Sequence, residues 1–249
     1  MKKFLMLFCM TVMILGAVGV AGANVTVGLP ADAQSGNSYP FGSAYIGDYQ
    51  QVYNSSQFSG PITITNIEFF NTKFDWATLT NTPPITNMNS GNWAISLSTT
   101  NADWNTLSTT YSNNLGGNNT LVFNGNLSQP WAFGDTLAIN LTTPFNYNPS
   151  NGNLLMDVVA TNTSDSAGLI FFDTNGYTGT TANGGPFNGN TIMGRVYYDT
   201  TVGAYAVNSG YGLVTEFSTG TSSVPEPATM LLLGLGLMGL AGVRRKFKK

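Results

Sequence analysis

No histidine occurs among the 249 residues, and the single cysteine, Cys9, lies in an apolar run near the N-terminus. The first absence removes the commonest general base and the commonest metal ligand. The second leaves the chain beyond residue 23 without a thiolate nucleophile, a disulfide or a cysteine zinc site. Basic charge is also scarce in the body of the chain. Of the 9 Lys and Arg residues, seven stand at the two ends, and between Asn24 and Ser223 only Lys73 and Arg195 face eleven carboxylates. A segment with that imbalance repels phosphate backbones, so no nucleic-acid partner is expected. Enzymes that stabilise developing sugar or phosphate charge draw on Arg, Lys, His or a metal. With so few of these, no enzymatic activity, no catalytic residue and no obligatory cofactor or metal are expected.

What is present is strongly ordered along the chain. Lys2 and Lys3 precede the apolar stretch 4–20, and Ala21-Gly22-Ala23 then places small residues at the two positions a signal peptidase reads. Residues 1–23 therefore read as a secretory signal peptide, with Ala21 and Ala23 as the cleavage determinants. At the other end Val224-Pro225-Glu226-Pro227 is followed by the apolar run 228–243 and by Arg244, Arg245, Lys246, Phe247, Lys248 and Lys249. A helix over that run is about 24 Å long, slightly short of the ~30 Å hydrocarbon core, and basic side chains that snorkel close the difference. The charge asymmetry puts the basic tail in the cytoplasm and the preceding domain outside. The two prolines hold the chain extended and stop the helix from growing past them.

In its Pro-Glu-Pro tripeptide, short Leu/Gly-rich helix and terminal Arg/Lys cluster, this tail resembles the PEP-CTERM sorting signal of Gram-negative bacteria. The resemblance covers residues 224–249. It implies an exosortase, a membrane-embedded transpeptidase-like enzyme, as processing partner, with Val224, Pro225, Glu226 and Pro227 as the sorting motif. It further implies that 228–243 is a transient membrane anchor and that Arg244, Arg245, Lys246, Lys248 and Lys249 form a retention tail. The expected course is export, an inner-membrane intermediate, then the cell surface or the extracellular matrix. The family's association with exopolysaccharide and biofilm makes that matrix the expected neighbour.

Between the ends, Asn and Thr supply 57 residues from Asn24 to Ser223, and Asn-Gly occurs five times. Thr favours strands, whereas Asn-Gly favours tight or left-handed turns. Short alternating runs lie between these breakers: 93–97, 137–141 and a shorter one at 121–123. The run 62–69 changes phase between Ile64 and Ile67, as a bulge or twist requires. Segments 154–160 and 169–172 are apolar on both faces and read as central strands. Segments 45–53, 195–199, 204–207 and 213–217 complete about ten strands, with no sustained helical period among them. An all-β domain over 24–217 follows, an antiparallel β-sandwich of jelly-roll type, with an immunoglobulin-like sandwich as the second reading. Residues 24–39 read as a loose leader and 218–223 as a polar linker.

Two weaker patterns concern ligands. Asp-Trp-x-Thr-Leu occurs at 75–79 and again at 103–107. Trp76 and Trp104 are either stacking platforms for a glycan or, the preferred reading, aromatics packed over an Asp-capped turn. Asp173-Thr174-Asn175-Gly176 partly matches the opening of a calcium loop, so Asp173 and Asn175 are the candidate ligands; the preferred reading is a turn closed by Asn-Gly. The leading expectation is a structural or matrix-associated surface protein. The alternatives are a carbohydrate-binding module, calcium-assisted or not, and a His-free glycosidase or lyase built on paired carboxylates.

Overall fold

The computed structural model describes residues 24–28, 36–42, 47–71, 87–88, 90–131, 135–164, 170–175, 191–199, 203–207 and 210–219. Thirteen strands run through them, beginning with β1 (Val25–Val27), β2 (Gly36–Asn37), β3 (Gly47–Tyr53), β4 (Ile62–Phe70) and β5 (Ser90–Thr100). There follow β6 (Thr120–Gly125), β7 (Thr136–Tyr147), β8 (Asn153–Ser164) and β9 (Phe172–Asn175). The last four are β10 (Met193–Asp199), β11 (Gly203–Val207), β12 (Gly212–Leu213) and β13 (Thr215–Thr219). The only helices among the described residues are three single 3₁₀ turns.

Strand order identifies the architecture. One sheet runs β1-β13-β4-β7, and the other contains β3-β8-β5-β6 in that order, all pairs antiparallel. Taken along the chain, these eight strands cross from one sheet to the other at every step except the β5–β6 hairpin. This is the jelly-roll winding, and it differs from the split of an immunoglobulin sandwich. The β10–β11 hairpin extends the second sheet beyond β3, while β12, β9 and β2 form a small third sheet.

The core lies between the two large sheets. Ile64, Ile67 and Phe69 of β4, Leu137 and Ile139 of β7 and Phe217 of β13 meet Tyr53, Trp93, Ile95, Leu97, Met156 and Val158 from the other sheet. Tyr53 and Phe217 touch edge-to-face across the sandwich, their ring centroids 4.9 Å apart. Edge-to-face contact suits the ring quadrupoles and adds to the gain from burying large apolar area. Residues Leu154, Leu155 and Met156 are all fully buried, as the two-sided apolar run predicts, because β8 is central between β3 and β5. Its outer face is covered by the 101–116 loop through Leu107, which packs on Val52, Leu155 and Val196.

The phase change in β4 has a physical cause. Pairing with both neighbours shifts register at this point: Ile64 and Asn66 face Phe145 and Asn140 on β7, and Thr219 and Ser218 on β13. Thr65 is thus the extra residue against β13, and the larger excess lies on β7, where Pro144 cannot donate to a ladder.

Several boundaries differ from the sequence reading. Part of the supposed leader is structured, since 25–27 and 36–37 form β1 and β2. The last strand runs to Thr219, past the expected boundary at 217. The strand expected at 169–172 begins only at Phe172 and continues to Asn175, where β2 and β12 supply its partners. Ile170 instead donates its N–H to the Gly42 carbonyl (2.8 Å). Among the Asn-Gly pairs, 151–152 links β7 to β8 with Gly152 at φ 136°, a left-handed value that favours glycine. Asn124-Gly125, by contrast, lies inside β6 opposite Trp93 and Ala94.

Candidate functional site

The sorting motif (Val224, Pro225, Glu226, Pro227), the anchor 228–243, the basic tail from Arg244 to Lys249 and the signal-cleavage residues Ala21 and Ala23 lie outside the described residues. The structure does place the points from which both terminal segments leave the sandwich. Strands β1 and β13 are antiparallel neighbours, with Val25 opposite Phe217. The start of β1 and the end of β13 therefore lie at the same end of one sheet. Glu216 joins them: its carboxylate accepts from the Asn24 amide (2.7 Å) and from the Thr26 hydroxyl (2.9 Å). Asn24 is the residue that the predicted cleavage after Ala23 would make the new N-terminus, and it is the first of the described residues. β13 is also held on both sides, by β1 and β4.

The glycan-platform pair is only half described, since Trp76 lies outside the described residues. Trp104 is half-buried in a turn. The Asp103 carboxylate accepts from the Trp104 N–H (2.7 Å), and the Thr106 hydroxyl accepts from the Asp103 N–H (2.8 Å). The Trp104 carbonyl packs on Gly194, where a Cβ would have no room. Asp173 and Asn175 stand within β9, each 1 % exposed, rather than in a loop. Both loop readings of 173–176 fail for 173–175, because pairing to β2 and β12 keeps that segment extended. Among the described residues, no group of three or more Asp, Glu, His or Cys gathers.

Two carboxylate pairs are brought together that the sequence did not single out. Glu68 and Glu216 face each other across β4 and β13 on the outer side of the sheet. Partial burial, and then the Glu216 charge, raise the Glu68 pKa. On the outer side of the other sheet, burial raises both Asp48 and Asp157, and their mutual repulsion adds to the shift at Asp157. Asp157 belongs to a network of amides. The Gln50 side chain donates to Asp157 (2.9 Å) and to the Tyr111 carbonyl (3.1 Å), and accepts from Asn114 (2.8 Å). Asn114 in turn donates to the Ser108 carbonyl and accepts from the Ser108 N–H, both at 2.8 Å. This arrangement fastens the 101–116 loop to the sheet. The only sequence signal for it was an amide at an outward position of β3.

Compared with known families, the chain matches the PEP-CTERM protein-sorting motif over residues 223–246. No curated protein matches the chain. The motif makes exosortase the implied processing partner and implies export and membrane-associated sorting to the cell surface. It begins within a few residues of the end of β13 at Thr219.

Proposed function

We propose that this chain is a structural, matrix-associated surface protein. A jelly-roll domain is exported, held in the inner membrane by 228–243, and freed when exosortase acts at 225–227. It then resides on the cell surface or in the exopolysaccharide of a Gram-negative biofilm. The observation that carries this reading is the sorting-motif match at 223–246, joined almost directly to the last strand of a folded domain. From Thr219 to Val224 the chain can span at most roughly 17 Å, so the linker is short. The Asn- and Thr-rich composition gives the domain a polar, hydrated character suited to a polysaccharide environment. No catalytic role is assigned to the two carboxylate pairs: each lies on the outer face of a sheet, and neither has a basic residue beside it among the described residues.

Deleting Pro225–Pro227 in a host that encodes an exosortase tests the proposal. The variant should stay in the inner-membrane fraction at its unprocessed mass, while the parent protein is found at the surface without its Lys248-Lys249 end. Equal release of both proteins, or surface material that retains the basic tail, would overturn it.

A further inference from the structure

Arg195 is the only basic residue among the described residues, and it is inside the protein. It belongs to β10, opposite Gln51 of β3, and only 7 % of it is exposed. Aromatic rings hold the guanidinium in place. Its central carbon lies 4.1 Å from the ring centroid of Tyr211 and 4.8 Å from that of Tyr197. The Tyr49 hydroxyl accepts a hydrogen bond from it and donates its own to the Gln51 side-chain oxygen (2.7 Å). Nε and Nη1 are buried and have no hydrogen-bond partner among the described residues. A guanidinium stays charged at any physiological pH, so it cannot lower this cost by losing a proton. Each unmet buried donor carries the cost of its desolvation, which the two cation–π contacts offset only in part. A site needed only for packing would be served better by an apolar side chain of similar length, which is often neutral or stabilising in place of a buried charge.

We propose that Arg195 is the anion-binding centre of a ligand site for a carboxylate, with Nε and Nη1 as its unfilled donors. The ligand class follows from charge balance. One guanidinium neutralises one negative charge, so a carboxylate leaves the site neutral, whereas a dianionic phosphate would leave buried charge uncompensated. The more exposed flank of the guanidinium is the Tyr197 side. Tyr211 is almost wholly buried, but Tyr197 is half-buried and meets the half-buried ring of Tyr39 at 5.6 Å. A carboxylate on a ring-shaped molecule, such as a uronic acid, offers an apolar ring face to these tyrosines while its charge reaches the guanidinium. This assignment is independent of how the tail is processed.

Arginine Nε–H resonances of the purified protein test it directly, since Arg195 shares that spectral region with only Arg244 and Arg245. Titration with glucuronate and with acetate should move the Arg195 resonance saturably, whereas glucose should not. A shift with acetate alone still supports the carboxylate site and limits the occupant to a small acid. An Arg195 resonance unmoved by both acids, or moved equally by glucose, overturns the proposal. As a second readout, glucuronate should raise the melting temperature of the parent protein but not that of R195M, which in the absence of ligand should melt at or above the parent temperature. If R195M melts well below it, the parent titration decides alone.

Discussion

Gln51 is a fully buried polar side chain whose amide takes the place of a strand neighbour. Its Nε2 donates to the Leu213 carbonyl and its Oε1 accepts from the Leu213 N–H, both at 2.8 Å. In this way β3 of the large sheet bonds reciprocally to β12 of the small one, which no main-chain ladder does. The pattern of 45–53 gave no sign of this, because a Gln at an inward strand position reads as a break in alternation until its partner is known. Gln51→Leu keeps the approximate size and removes these bonds, leaving the buried Leu213 N–H and Tyr49 O–H unpaired, while the Leu213 carbonyl keeps the Thr215 hydroxyl (2.9 Å). Each such group costs about 1–3 kcal/mol, so a loss of roughly 3 kcal/mol is expected in urea unfolding. A loss under about 1 kcal/mol would mean that water or a shifted strand satisfies Leu213 instead.

Strands whose own pattern determines them were legible in the sequence, and strands that depend on a partner were not. At 93–97 and 137–141 the alternation places Trp93, Ile95, Leu97, Leu137 and Ile139 in the core, and the phase slip at 64–67 marks a true register shift. A three-residue strand such as β1 has no period to detect; it exists because the edge of β13 offers unpaired groups and Val27 finds a place in the core. Removing residues 24–28 therefore tests an element and not a single contact. Losing Val27 together with the ladder should lower stability by about 2–4 kcal/mol. The bared edge of β13 should also pair between molecules, giving concentration-dependent dimers on size exclusion. A monomeric truncation with parental stability would show that β1 is only a passenger on the sheet.

For the molecule as a whole, the sorting tail was legible because membrane sorting reads a linear order of proline, apolar and basic residues. The Arg195 site was not, since a lone Arg in an alternating run gives no hint of whether it points inward. The same shortage of bases that made Arg195 conspicuous also governs the response to pH. Asp48, Glu68 and Asp157 have pKa values raised above the ordinary 3.8 and 4.5, in each case chiefly by burial. The folded state therefore holds more protons than the unfolded chain in the window just above those ordinary values. By linkage, stability falls as pH rises through that window and then levels off. With no histidine there is no side-chain titration near neutrality to disturb the plateau. Burial also raises Tyr49, Tyr53 and Tyr147 well above the ordinary 10.0, so the unfolded chain ionises first and stability should drop again above about pH 10. Acid brings little opposing repulsion, because Lys73 and Arg195 are the only side-chain cations between residues 24 and 223. Urea midpoints should accordingly be highest near pH 4, lower but constant from pH 7 to 9, and lower again at pH 11. A midpoint that rose from pH 4 to pH 7 would mean that some carboxylate is stabilised in its charged form, which the environments of Asp48, Glu68 and Asp157 do not provide.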